Sequence, residues 1–158
     1  MIFILLLSLI VSLTYLCYTV WVSKGIPVSI SDSYYLLGKR GWLFQLVIAS
    51  VAFMLYPVWV SVCSEELTGL VFGACSSLLF VAVAPCFKLP FEGKVHYTSA
   101  ILCCVCIVVW QLCMGMCNML IYVLPISIFI SCLFIKYWCL CIELGVITSL
   151  FITLLQLL

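Results

Sequence analysis

The sequence predicts an all-α protein, a polytopic transmembrane helical bundle of about six spans forming a single domain over residues 1–158. Three observations predict it. Hydrophobic residues make up 68% of the chain and charged residues only 7%, whereas a soluble domain carries about 25% charge. The apolar residues also run continuously over the roughly 20 positions that a helix needs to cross hydrocarbon. They do not alternate as in a membrane barrel. Finally, all 6 basic residues fall in alternate loops. Backbone polar groups in lipid must be paired within the segment, which continuous runs achieve as helices.

The first span is expected at 2–22. It has no positive start, its apolar run is too long and no small-residue cleavage site follows, so it reads as a retained span and not a signal peptide. The second is expected at 41–63 and the third at 67–87. In the third, Gly69, Gly73 and Ser77 form a stripe of small residues that permits close helix approach. The fourth is expected at 97–116 and the fifth at 118–135, joined by a tight hairpin around Gly115 to Asn118. Pro125 lies in the middle of the fifth and predicts a kink there. The sixth is expected at 138–158, separated from the fifth only by Lys136, Tyr137 and Trp138. A five-span alternative, with one of the last pairs fused or re-entrant, stays open. Trp21, Trp42, Trp59, Trp110, Tyr137 and Trp138 lie near span ends, where amphipathic rings favour the headgroup level.

Charge sets the orientation. Loop one (23–40) carries Lys24, Lys39 and Arg40, loop three (88–96) carries Lys88 and Lys94, and loop five carries Lys136. Loop two carries Glu65 and Glu66. Basic residues are retained on the cytoplasmic side. Loops one, three and five are therefore expected in the cytoplasm, with both termini outside it, in a cell (inner) membrane.

Composition also excludes. A net charge of +1 gives no electrostatic case for nucleic acid. Most of the 12 cysteines, such as Cys75, Cys103, Cys104, Cys106, Cys139 and Cys141, lie in apolar runs and read as small packing residues. Cys113 and Cys117 have no second pair, and one histidine cannot complete a zinc set. No metal and no cofactor are expected. There is no glycine-rich phosphate loop. Ser31, Asp32 and His96 carry no motif that marks a nucleophile.

The polar residues gather in two places. The stretch "FEGKVHYTSA" holds the single histidine, and loop one holds Asp32 among serines and tyrosines. Glu143 stands five positions into the sixth span, and an ionisable group there suggests function by default. Its alternative role is structural, as a partner of Lys136 or His96. His96 reads either as a proton-handling group or as an interfacial cap. Gln111 and Asn118 are expected to bond across helices. Loops one and three are expected to meet over a vestibule. Asp32, Glu92, His96 and Glu143 would line it as a ligand-binding site, with Lys94 and Lys24 attracting an anionic group.

The stretches "GIPVSISDSYYLLGKRGWLFQ", "APCFKLPFEGKVHYTSA" and "WCLCIELGVI" resemble the small uncharacterised six-span membrane proteins of gut Bacteroidales and their phages, over nearly the whole chain. That resemblance implies origin and membrane location, not an activity. "IPVSISDS" together with "VHYTSA" is also similar to the Frag/DRAM/Sfk six-span family. That likeness implies an association with lipid remodelling, with Asp32 and His96 as the shared polar pair. This sequence departs from that family in lacking a glycine soon after the aspartate, and its charge pattern puts the matching loop on the opposite side.

The expected function is non-catalytic: a small polar cavity at the cytoplasmic face that binds a lipid headgroup or small solute. The expected partners are membrane lipid and a small anionic ligand, with a homo-oligomer left open. One alternative is a phage-encoded protein that modifies the envelope or excludes superinfection. A second is a lipid-modifying membrane enzyme. The enzyme question stays open, with the balance towards none.

Overall fold

The computed structural model describes the backbone of residues 1–158 and the side chains of all but residues 117–120. It is an all-α bundle, with no strand among the described residues. Its helices are α1 (Ile2–Ser23), the one-turn α2 (Ser33–Leu36), α3 (Trp42–Val62), α4 (Thr68–Val83), α5 (Pro90–Cys113), α6 (Cys117–Leu133) and α7 (Trp138–Leu157). Short 3-10 turns at Gly38–Arg40, Glu65–Leu67 and Ile135–Tyr137 lead into α3, α4 and α7. Five of the helices are long and apolar enough to cross a membrane: α1, α3, α4, α5 and α7. The 3-10 turns that lead into α3, α4 and α7 count towards those spans, so that the α4 span is the 19 residues Glu65–Val83; the shorter apolar helix among the described residues is the Ile121–Leu133 part of α6.

Three boundaries differ from the sequence reading, each for a local reason. First, α4 stops at Val83, not at Phe87. Pro85 follows one residue later, and the residue before a proline is pushed out of the α region; Ala84 sits at φ −111°, ψ 58°. Second, α5 starts at Pro90, not at Tyr97. Proline suits a first helical position because the N–H it lacks would be unpaired there anyway. Glu92, Lys94 and His96 are therefore helical residues, and the connection between α4 and α5 shrinks to residues 84–89. Third, loop one contains α2 and is folded across the end of the bundle. Hydropathy locates the apolar part of a helix, not its ends.

Packing follows chain order: α1 lies on α3, α3 on α4, α4 on α5 and α6 on α7. Although α5 and α6 are joined by a short turn, they touch little, and α6 leans on α7 instead. Gly145 makes that lean possible. A Cβ there would collide with the side chain of Ser127 on α6. Asn118 lies outside the described side chains, so its expected bond across helices does too.

The core runs down the middle of α3, α4, α5 and α7. Its largest fully buried side chains include Trp59, Trp110, Phe44, Leu5 and Leu154. Trp59 and Trp110 do stand near helix ends, but they do not sit at a headgroup surface. They are 1% and 0% exposed and meet edge to face, with ring centroids 5.1 Å apart at 81°. Trp21, Trp42 and Trp138 are the exposed tryptophans. Gln111 does bond across helices: its Nε2 donates to Thr153 Oγ1 at 3.0 Å and Ser149 Oγ at 3.3 Å on α7.

Candidate functional site

Loop one, the 84–89 connection and the starts of α5 and α7 come together at one end of the bundle. Loop one is held there by hydrogen bonds to residues far away in sequence. Val28 O accepts the backbone N–H of Leu140 at 3.1 Å. Leu140 is in the first turn of α7, where backbone donors have no partner within the helix, so loop one caps that helix. Two residues on, Ile30 N–H donates to Glu143 Oε2 at 2.6 Å. Tyr15 of α1 bonds Ser33, whose hydroxyl in turn donates to the Ile30 carbonyl.

His96 closes the other side. It is 2% exposed. Its Nδ1 lies 2.9 Å from the Ala84 carbonyl and its Nε2 lies 2.8 Å from Ser31 Oγ. A carbonyl only accepts, so Nδ1 carries the proton, and in the neutral ring Nε2 accepts from the serine hydroxyl. One imidazole thus ties loop one to the connection before its own helix. Gly93 lets that connection fold back, because a Cβ there would run into the Phe87 carbonyl. Tyr35 extends the tie: its hydroxyl accepts from Lys88 N at 3.0 Å, and its ring lies 4.1 Å beneath the Lys88 ammonium. Tyr34 OH lies 3.5 Å from Cys86 Sγ, and this contact with the thiol pushes the phenol above its ordinary range.

The expected meeting of loops one and three is therefore seen, but the five site residues do not converge. His96 reaches neither Asp32 nor Glu143, and its ring nitrogens are used by Ser31 and Ala84. Glu143 takes neither Lys136 nor His96; among the described residues its partners are Ile30 N and, at 3.6 Å, the Cys139 thiol. Asp32 folds onto its own turn, with Oδ2 3.5 Å from Val28 N. Glu92 is partly buried in the first turn of α5, while Lys94 and Lys24 are exposed. Sequence reading brings Ser31 and His96 together only as part of a triad that no motif marks, and it misses the Ile30 backbone as the glutamate's partner. A backbone N–H leaves no mark in a sequence.

Two neighbouring cavities lie under this lid. The larger is about 140 Å³ and is enclosed by α1, α3, α4, α5 and α7. Its lining is apolar except for Ser12, Tyr15 and Thr148, and it reaches from Ile30 at the loop-one end to Trp59 near the far end of α3. The smaller is about 90 Å³ and is lined by Ser31, Phe44, Cys103, Glu143 and Val146 among others. Ile30, Ile48, Leu78, Cys103, Ile107 and Ile147 border both. Of the five candidate residues, Glu143 borders the smaller cavity, and Asp32, Glu92, Lys94 and His96 border neither. Leu13 on α1 and Thr148 on α7 line the larger cavity and are also exposed on the flank of the bundle. No group of histidine, cysteine and carboxylate residues able to hold a metal occurs among the described residues.

No family model, curated protein or solved structure matches the chain.

Proposed function

We propose that this membrane-embedded bundle is a non-catalytic lipid-binding protein that takes one apolar chain from the bilayer sideways between α1 and α7. The observation that carries the reading is the larger cavity. It is apolar, lies among the spans and has Leu13 and Thr148, both exposed on the flank, in its wall. Along α3 it extends from Val47 to Trp59, about 18 Å at 1.5 Å per residue. A dry apolar cavity of about 150 Å³ readily takes a small apolar guest, and lipid tails are the apolar molecules at hand in a membrane. The polar cluster then has a different part from the one its composition suggests. It fastens loop one over the cavity, and Asp32, Glu92, Lys94 and His96 border neither cavity. Lys24, Lys39, Arg40, Lys88, Lys94 and Lys136 all belong to the loop-one end, which supports placing that end in the cytoplasm of a cell inner membrane.

The test is native mass spectrometry of the detergent-purified protein beside Thr148→Trp, which blocks the flank opening at an exposed position. The expected result is a discrete lipid adduct on the unmodified protein that is lost from the variant. Bare mass for both, or equal adducts on both, overturns the reading.

A further inference from the structure

Two groups at the cavities have bonding capacity that the described residues leave unused: the Trp59 indole N–H, buried without a partner at the larger cavity, and the Glu143 carboxyl at the smaller one. A carboxyl has two oxygens and about four lone-pair sites. Ile30 N occupies one site on Oε2, and Oε1 has only the Cys139 thiol at 3.6 Å, a weak donor. Among the described residues it has no cationic partner. It is partly exposed and borders the smaller cavity. Most of the other side chains there, such as Phe44, Val81, Cys103 and Val146, are apolar. The Ser31 hydroxyl at the same cavity already faces His96 Nε2.

The two cavities are neighbours that share six lining residues, and the oxygen acceptor lies at the smaller one. Resting on the lipid-binding reading above, we infer that the two cavities together select a single-chain lipid whose head is a hydrogen-bond donor, a long-chain amine or alcohol, with Glu143 Oε1 accepting from that head. The head sits in the smaller cavity beneath Ile30, the first part of the tail lies in the larger one, and the rest of the tail passes out between α1 and α7 into the bilayer. A phosphate or carboxylate head is disfavoured there, because it would bring a second acceptor with negative charge against a carboxyl in a low-dielectric site. This reverses the sign of ligand that the lysines alone suggest. Lys94 and Lys24 are exposed and border neither cavity.

The experiment titrates the purified protein in phosphatidylcholine nanodiscs with hexadecylamine, hexadecan-1-ol, hexadecane and palmitate, reading occupancy by native mass spectrometry. One net hydrogen bond corresponds to about tenfold in affinity. Amine and alcohol are therefore expected to bind about tenfold more tightly than hexadecane, with palmitate weakest. Glu143→Leu should bring amine, alcohol and hexadecane to within about twofold of one another. Glu143→Gln keeps an oxygen acceptor for Ile30 N, and so guards against a variant that fails to fold. It should keep the preference for the alcohol over hexadecane. Equal binding of amine, alcohol and hexadecane by the unmodified protein overturns this inference while the lipid-binding reading stands. A preference that survives in both variants overturns it too, because the head is then recognised elsewhere. No binding of any of the four overturns both.

Discussion

The two ends of the bundle are built by different means. At the loop-one end, directional hydrogen bonds join residues far apart in sequence: Ile30 with Glu143, Ser31 with His96, Ser33 with Tyr15 and Val28 with Leu140. Towards the loop-two end, order comes from packing. Trp59 lies against Trp110, and the Trp110 indole N–H donates to Cys63 Sγ at 3.2 Å. Lipid tails are as apolar as leucine, so burial alone does not bring helices together in a bilayer. A segment as polar as loop one can still be fixed at a membrane surface if each buried donor and acceptor finds a partner. The comparison teaches that this chain spends its few polar groups on holding a lid and its aromatic groups on holding the bundle.

The sharpest way to break the comparison is at the packed end. Trp110→Ala removes a side chain that is 0% exposed. It should destabilise the protein by about 3–5 kcal/mol, the usual cost of emptying a large aromatic site, read as a fall in the midpoint of denaturation in detergent. Loop one should keep its native contacts until the whole bundle unfolds. If loop one opens first, the two ends are not separate.

Glu143→Leu attacks the other end. It leaves the Ile30 N–H without its acceptor and should cost about 1–3 kcal/mol, the penalty for an unpaired buried donor. Proteolysis of loop one in the folded state should rise with it, and Glu143→Gln should recover most of the loss. His96→Ala removes one bond from Ser31 and one from Ala84, and should cost about 1–2 kcal/mol. Its accompanying sign is release of loop one with little change at Trp59, followed by indole fluorescence. The smallest effect is expected from Gln111→Leu. Cross-helix polar contacts in membrane proteins average about 0.6 kcal/mol, and leucine fills much of the same space. A loss as large as that for Trp110→Ala would show that polar bonds across the helices hold the loop-two end as much as packing does.

The fold was legible in this sequence because helix formation in lipid is enforced by the backbone, and uninterrupted apolar runs mark it directly. The ends of the helices were less legible. The first turns of α5 carry Glu92, Lys94 and His96, which read as loop residues because they are polar, yet Pro90 starts a helix ahead of them. The site divides in the same way. Glu143 is visible in the sequence as a lone carboxyl inside an apolar run. His96 is visible as the single histidine, but its partners are a serine among several serines and a main-chain carbonyl, neither distinguishable by type. Lys94 and Asp32 drew attention through charge, and the structure leaves one exposed and the other bonded within its own turn. The apolar cavity had no signal at all, since its walls are made of the same leucines, isoleucines and valines that fill every span.

The measurement that tests the account most directly is amide hydrogen exchange across loop one, in the unmodified protein and in Glu143→Leu. The account makes loop one a folded lid held from below. The Ile30 amide should therefore exchange slowly, close to the rate of the bundle core, and should speed up strongly in the variant while amides in the middle of α3 stay protected. Fast exchange at Ile30 in the unmodified protein, or unchanged exchange in the variant, would contradict it. Loop one would then be a solvated connection, and the cavity beneath it would have no lid.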